Sequence, residues 1–304
     1  MRNILITGSN GLLGQKIVHA LLKRPDVNVI ATSLGANRII KKVGYIYEAL
    51  DITKISEVEL VLNKYKLDVI INTAAMTNVD ACETKREECW ALNVTAVQNI
   101  VQVLSSAEDL KNCHLIHLST DFIFDGEKGA EYVETDIPNP LSYYALTKYE
   151  SEKILEKSSI NWAIARTIIV YGIVDNMSRS NIILWAKDAL TKQQKINVVD
   201  DQFRSPTLAE DLADGCILIA DKKAKGIFHL SGPDTMSILE LVNRVANFWK
   251  LDKSLITPSK SNSLNQAAKR PPRTGFDISK ASRELGYAPH SFEQGLKIMD
   301  KQLP

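Results

Sequence analysis

The stretch Ile4-Leu5-Ile6-Thr7-Gly8-Ser9-Asn10-Gly11-Leu12-Leu13-Gly14 carries an apolar run directly into glycines three residues apart and then into a helical pattern. Ordinary glycine-rich turns contain such triplets too, but a position straight after a first strand is the context in which glycines cradle a dinucleotide. Gly8 would allow the tight strand-to-helix turn. Gly11 would let the backbone approach a pyrophosphate with no Cβ in the way, and Gly14 would let the helix pack closely on the sheet. The phosphates would then rest on the helix N-terminus, with Ser9, Asn10, Leu12 and Leu13 completing the expected cradle.

Outward from this motif, short β-rich runs alternate with longer helical stretches. Strands are expected at Asn3 to Thr7, Val27 to Thr32, Tyr45 to Glu48, Asp68 to Asn72, His114 to Ser119 and Asn161 to Ala165. Helices are expected at Leu12 to Lys23, Ile55 to Tyr65, Lys85 to Ser105 and Tyr143 to Lys157. The alternation predicts an α/β fold, a doubly wound parallel sheet of the Rossmann type. Consecutive apolar residues such as Val69-Ile70-Ile71 fit strands covered by helices on both faces. After Gly172 the rhythm loosens, with helices near Asn181 to Thr191, Leu208 to Ala220 and Ile238 to Trp249, and a Ser/Asn/Lys-rich loop from Pro258 to Lys269. The expected division is a dinucleotide-binding domain over 1–171, with 206–230 returning to it, and a smaller C-terminal substrate-binding lobe from 172–205 and 231–304.

Composition narrows the function classes. A formal net charge of +1 over 304 residues, with no long basic run, argues against a bulk nucleic-acid or membrane-surface role. Cys82, Cys89, Cys113 and Cys216 have neither CxxC nor zinc-ligand spacing, so reduced, buried thiols in a cytoplasmic protein are expected and no metal site is. The apolar start is broken at Gly8 to Gly11, which does not suit a secretory leader. No run approaches the length of a membrane span.

Where an NAD-preferring fold usually carries an acidic residue after its second strand, this chain reads Ala31-Thr32-Ser33, followed by Arg38 and Lys41. Hydroxyl donors and a cation there suit a 2′-phosphate, which favours NADP(H) over NAD(H); the alternative is that Arg38, Lys41 and Lys42 form a solvated face. Asp51-Ile52, after the third strand, could hold an adenine amino group, and Asp51 is also a good N-cap for the next helix.

The chemistry is expected in the middle of the chain. His117-Leu118-Ser119-Thr120-Asp121 ends a strand at the cofactor edge of the sheet, and Tyr144 and Lys148 share one helix face further on. An ammonium so placed would lower the phenol pKa toward working pH, letting the tyrosine exchange a proton with a carbonyl or alcohol oxygen. Tyr149 and Lys153 have the same spacing, and either pair could be surface decoration. Only Tyr144 follows Pro138-Asn139-Pro140 into a first helical turn. Asn93 adds a polar group within a helical pattern, where it could also cap or back-bond the helix.

Together these residues resemble the extended short-chain dehydrogenase/reductases and, within them, the dTDP-4-dehydrorhamnose reductase family. The resemblance covers nearly the whole chain: the cofactor loop Thr7 to Gly14, Asn72-Thr73-Ala74-Ala75-Met76-Thr77-Asn78-Val79-Asp80, Ser119 to Gly126, Tyr144 with Lys148, Asp200 to Thr207, and Arg270-Pro271 with Asp277 and Lys280. It implies that Thr120, Tyr144 and Lys148 are the catalytic trio and that Asn93 supports the lysine through a water. Thr73, Ala74 and Ala75 would flank the cofactor. Thr77, Asp121, Ile169, Gln202, Arg204 and Arg270 would lie on the substrate side.

Two departures bear on the substrate. The family usually has tryptophan where this chain has Ile169, which removes an aromatic platform for a sugar ring. It also has glycine where this chain has Arg204, which would add a cation to the substrate region. The implied activity is NADPH-dependent reduction of a 4-keto sugar nucleotide such as dTDP-4-dehydrorhamnose, in the rhamnose pathway, by an enzyme compatible with a homodimer. An epimerase or reductase of another sugar nucleotide is the nearest alternative. A non-catalytic NADP-binding regulatory subunit is the rival from another class.

Overall fold

A computed structural model of the chain describes residues 1–303 apart from 178–179 and 264–265. In chain order, β1 (Arg2–Thr7), α1 (Leu12–Leu21), β2 (Val27–Ser33), β3 (Ile46–Ala49), α2 (Ile55–Lys64) and β4 (Val69–Asn72) form the first half. Then come α3 (Val79–Thr84), α4 (Arg86–Trp90), α5 (Ala96–Ser106), β5 (His114–Thr120), α6 (Tyr143–Glu156) and β6 (Asn161–Thr167).

Seven parallel strands form one sheet in the order 11-6-5-4-1-2-3, the seventh being Gly226–His229. That short strand is not among the six expected from the sequence. Strand order reverses beside β1, and ligands of such sheets bind in the crevice that the reversal opens. Thr7, Asn72 and His117 stand in one register row across β1, β4 and β5.

Both sheet faces are covered. Ile4, Ile6, Val29 and Ile71 pack with Ile17, Val18 and Leu21 of α1 on one side. Leu5, Ile30, Ile70 and Leu115 pack with Val58 and Leu62 of α2 and with Val97, Ile100 and Val103 of α5 on the other. Burial on two faces explains why β4 has no polar alternation: all four of its residues are buried.

Beyond β6 lie β7 (Val170–Tyr171), α7 (Ile182–Thr191), β8 (Ile196–Val199), β9 (Phe203–Arg204), β10 (Thr207–Leu208) and α8 (Ala209–Lys222). They are followed by β11 (Gly226–His229), β12 (Met236–Ser237), α9 (Ile238–Phe248), β13 (Ile256–Ser259), α10 (Ser279–Leu285) and α11 (Phe292–Asp300). A separate core of Ile183, Leu190, Val198, Leu241, Val245 and Leu296 joins α7, α9 and α11 around β8.

Two expectations are corrected here. The helix expected over Lys85 to Ser105 is broken by a π-helical turn at Ala91–Thr95 between α4 and α5. Polar Asn93 lies in that turn and bonds across to another segment, which the helical pattern gave no sign of. The loop expected from Pro258 begins as a strand, because β13 pairs in parallel with β8 through Pro258 and Ser259. Proline is tolerated on such a two-stranded edge. Part of that loop, 264–265, lies outside the described residues.

Candidate active site

The glycine motif builds one wall of a cleft of about 280 Å³ at the strand ends. Gly8 has φ +66°, and a Cβ there would come within 2.8 Å of the Ala74 nitrogen, so only glycine fits this turn. A Cβ on Gly14 would collide with the Gly8 carbonyl and the Ser9 backbone. The close approach at Gly14 is therefore of α1 to its own loop; the sequence reading had placed it against the sheet.

Helix α1 begins after Gly11 with no side-chain cap and no acidic residue in its first turn. Its first amides and the positive end of its dipole are thus directed at the cleft, as an anion requires. Leu12 and Leu13 supply that first turn, and the Leu13 side chain packs on the sheet core. The Ser9 hydroxyl is buried and has no hydrogen-bond partner among the described residues. An uncapped helix start, an orphaned hydroxyl and a turn that only glycine fits suit a pyrophosphate.

Gly8, Asn10, Gly11, Thr32, Ser33 and Arg38 line this cleft. Asp51, Ile52, Thr73, Ala74 and Ala75 line it as well, together with Thr7, which opens the glycine loop, and with Leu34, Leu50 and Leu92, for which the sequence carried no such expectation. Two roles differ from expectation. Thr32 donates its hydroxyl proton to the Ile6 carbonyl (3.1 Å), which leaves Ser33 and Arg38 as the outward donors. Asp51 does not cap α2, whose N-cap is Lys54; its carboxylate instead accepts from the Thr53 amide (3.0 Å) and hydroxyl (2.6 Å). The Thr53 hydrogen bonds hold the Asp51 carboxyl below its ordinary value, so it stays an acceptor facing the cleft.

Thr120 closes β5, and its hydroxyl accepts from the Phe122 amide (3.2 Å) and donates to Asp121 (3.1 Å). Tyr144 stands in the first turn of α6, behind the N-cap Ser142, with its phenol near the Thr120 side chain. Phe122 meets the Tyr144 ring edge-on at 6.2 Å. The expectation that Lys148 lowers the phenol pKa is not met. Burial pushes Tyr144 above its ordinary value, against the opposing influence of the nearby Thr120 side chain.

Lys148 turns toward His117 instead, its Nζ 3.2 Å from the imidazole Nε2. His117 Nδ1 is 3.0 Å from the Asn72 amide nitrogen, and Nε2 is also 2.9 Å from the Ser151 hydroxyl. The Thr7 hydroxyl donates to Asn72 Oδ1, which turns the Asn72 amide nitrogen toward His117 Nδ1. Burial lowers Lys148 to about 8, against the opposing charge of Glu152, and drives His117 well below its ordinary value. The sequence had marked His117 only as part of a strand end.

Asn93 donates to Thr147 Oγ1 (3.0 Å) and to the Met76 carbonyl (3.1 Å), and accepts from the Met76 amide (2.8 Å). It therefore ties the turn after β4 to the residue preceding Lys148. The second pair, Tyr149 and Lys153, lies on the partly exposed side of α6, with Lys153 bound to Glu150 (2.5 Å).

Of the residues expected on the substrate side, Asp121 and Arg204 come together, with Arg204 Nε 3.6 Å from Asp121 Oδ2. Arg204 is not the open cation anticipated, being only 1% exposed. It donates to the carbonyls of Phe203 (2.7 Å), Pro271 (2.6 Å) and Pro272 (3.3 Å) and lies over the Phe122 ring. Thr274 also donates to Asp121. These partners neutralise Arg204 behind Thr120 and remove it from the substrate surface. Arg270 grips Asp80 on α3 through two bonds of 3.1 and 2.7 Å, near exposed Thr77. Gln202 is buried, and its carbonyl accepts from the Ile238 amide (2.9 Å). Ile169, at φ +33°, packs between the second-lobe core and the Phe124–Phe276 cluster.

The family described as RmlD substrate binding domain matches residues 1–303. A dTDP-4-dehydrorhamnose reductase of Aggregatibacter actinomycetemcomitans is 30% identical over 98% of both chains. A dTDP-4-dehydrorhamnose reductase from Bacillus anthracis, crystallised in complex with NADP, superposes with a TM-score of 0.84 at 26% identity over 100% of both chains. The chain is also 29% identical to methionine adenosyltransferase 2 subunit beta of Bos taurus, over 92% of this chain and 81% of that protein. No described helix is long and apolar enough to cross a membrane. With its parallel seven-stranded sheet and its glycine cleft, the chain belongs to the RmlD substrate binding domain family, the dTDP-4-dehydrorhamnose reductase branch of the extended short-chain dehydrogenase/reductases.

Proposed function

We propose that this chain is an NADPH-dependent reductase of a 4-keto sugar nucleotide, with dTDP-4-dehydrorhamnose as the favoured substrate. The observation that carries the reading is the buried Tyr144 phenol beside Thr120, with Lys148 one turn further along α6. A phenol placed in the first turn of α6 beside the end of β5 is positioned to give the proton that reduction of a ketone consumes.

When bound, the nicotinamide supplies the hydride that reduces the ketone carbon. Tyr144 gives its proton to the oxygen, and Thr120 reorients its hydroxyl from Asp121 to hold that oxygen. Lys148, one helical turn further on and turned toward His117, would hold the ribose of the nicotinamide. The residues that would hold the cofactor are those of the glycine loop and cleft: Gly8 to Gly14, Ser33, Arg38, Asp51 and the Thr73-Ala74-Ala75 turn. Preference for NADPH rests on the absence of a carboxylate at Thr32 and Ser33 and on Arg38 beside them. Thr77, Gln202, Arg270 and Ile169 frame the substrate side, and a lobe built from 172–205 and 231–304 would close over the sugar.

NADPH oxidation with a panel of nucleotide-linked 4-keto sugars tests this reading. Turnover of the dTDP-linked 4-keto sugar is the expected result, and oxidation with none of the panel would overturn it. The methionine adenosyltransferase subunit relative favours a second reading, a cofactor-binding subunit without turnover of its own. Under that reading NADPH binds and no member of the panel is reduced.

A further inference from the structure

Arg38 is held in place by residues distant from it in the sequence. Its amide donates to Asn10 Oδ1 (2.8 Å), and its carbonyl accepts from Asn176 Nδ2 (2.8 Å), so both its peptide groups are fixed while its side chain lines the cleft. Two residues on, the Ile40 amide donates to Asp175 Oδ2 (2.9 Å). Asp175 is held in turn by Gln15 of α1, whose amide nitrogen donates to the Asp175 carbonyl (2.9 Å) and whose oxygen accepts from the Asp175 amide (3.1 Å). Gln15 is fully buried and also donates to the Asn10 carbonyl (3.2 Å). Asn176 adopts φ +45°, a left-handed conformation that asparagine tolerates better than most residues.

We propose that Gln15, Asp175 and Asn176 form a clamp that positions Arg38 and so sets the preference for a 2′-phosphorylated cofactor. The proposal rests on the reading of Arg38 as the ligand of that phosphate. The segment between β2 and β3 is long, and an exposed arginine on a free loop of this kind would lose side-chain and backbone entropy on binding. Asp175 and Asn176 are 135 and 138 positions from the groups they hold, on the stretch leading from β7 toward α7. The clamp therefore joins the cofactor loop to the start of the second lobe. Gln15 reaches the glycine loop through Asn10, whereas Asp175 and Asn176 bond to Gln15 and to the Arg38–Ile40 segment, so substitutions at those two positions leave the contacts of the glycine turn itself in place.

The test is isothermal titration of the full chain with NADPH, NADH and adenosine 2′,5′-bisphosphate. Arg38→Ala should weaken NADPH and the bisphosphate about 10-fold or more and leave NADH within about two-fold, as loss of one charge-assisted contact predicts. Asp175→Ala and Asn176→Ala should each weaken NADPH and the bisphosphate about 3- to 10-fold with NADH unchanged. Asp175→Asn, which keeps an oxygen acceptor for Ile40, should restore the wild-type ratio. NADH binding also reports folding in every variant. If Arg38→Ala shifts the ratio and the Asp175 and Asn176 variants do not, or if they weaken both cofactors equally, the clamp is refuted and the reading of Arg38 stands. If Arg38→Ala leaves the ratio unchanged, that reading fails and the clamp falls with it.

Discussion

Lys148 Nζ lies 3.2 Å from His117 Nε2, and both groups are sealed from solvent. The carboxylate one helical turn further on, Glu152, is already engaged by Arg166 at 2.7 Å, with both side chains buried. Lys148 thus has a neutral imidazole where a salt bridge would otherwise fix its charge. The register row Thr7–Asn72–His117 determines that imidazole's orientation through hydrogen bonds on successive strands. A lysine held in this way sits near the boundary between its two protonation states, at about 8.

Stability should depend on pH accordingly. Because Lys148 is lowered from 10.5 to about 8, the unfolded chain binds the proton more tightly than the folded one. Between those values stability rises with pH, and below about 8 the full burial penalty, on the order of 3 kcal/mol, is present. Lys148→Met should therefore gain on the wild type in urea unfolding at pH 7, and the gain should shrink as pH approaches 10.5. His117 is lowered from 6.5, so its own penalty appears only in more acidic solution and does not mask this window. A gap that stays constant from pH 7 to 10.5 would remove Lys148 from the account.

The two Tyr–Lys pairs of α6 separate by burial. Tyr144→Phe should lower turnover by about 100-fold or more while NADPH binding survives, as expected when a general acid is lost. Tyr149→Phe should stay near wild type, since Tyr149 lies on the partly exposed face beneath the Lys153 ammonium. Steady-state kinetics and cofactor titration of both variants decide the assignment. The reverse result would move the chemistry to Tyr149.

Arg204 should act on stability through Asp121. Burial raises the Asp121 carboxyl, and Arg204 is the largest influence opposing that rise. Arg204→Met would leave a buried carboxylate without its cation and should cost about 3–5 kcal/mol at neutral pH. In the variant Asp121 would titrate above its unfolded value, so the loss should shrink as pH falls through the folded pKa. Arg204→Met/Asp121→Asn should recover most of the stability. Denaturant melts at several pH values read both effects, and a loss that is the same at every pH and unrelieved by Asp121→Asn would assign Arg204 to packing alone.

Much of the cleft was legible because its parts are local. Gly8, Gly11 and Gly14 are spaced for one turn, Thr32 and Ser33 end a strand whose apolar run is plain in the sequence, and Asp51 comes two residues after the next strand. The Thr7–Asn72–His117 row was not, since it depends on the register of strands whose partners are 65 and 45 positions apart. The direction of Arg204 was equally hidden: a lone arginine in a loop reads as exposed, and only folding brings the carbonyls of Pro271 and Pro272 to it. One signal was present but unused. Ser291 and Gln294 form a capping box that starts α11, a pattern readable from two residues.

Ile169 decides the last prediction. Its φ of +33° is a left-handed conformation that a β-branched residue adopts only under constraint from its surroundings. The Thr207 amide bonds to the Ile169 carbonyl (3.1 Å), and the side chain is wedged between two apolar clusters, so the backbone is held there whatever the side chain. Ile169→Trp removes the branch at Cβ and adds a ring of the kind that stacks on a sugar face. The gain of an aromatic contact, about 0.5 to 1.5 kcal/mol, corresponds to roughly 2- to 12-fold tighter use of a dTDP-linked 4-keto sugar. KM should carry that change and kcat should move little, because Tyr144, Thr120 and Lys148 stay in place. Kinetics on a panel of nucleotide-linked 4-keto sugars measures it directly. A folded Ile169→Trp variant that is neutral or worse for every dTDP-sugar, while another nucleotide sugar is reduced efficiently by the wild type, would rule out rhamnose-precursor specificity.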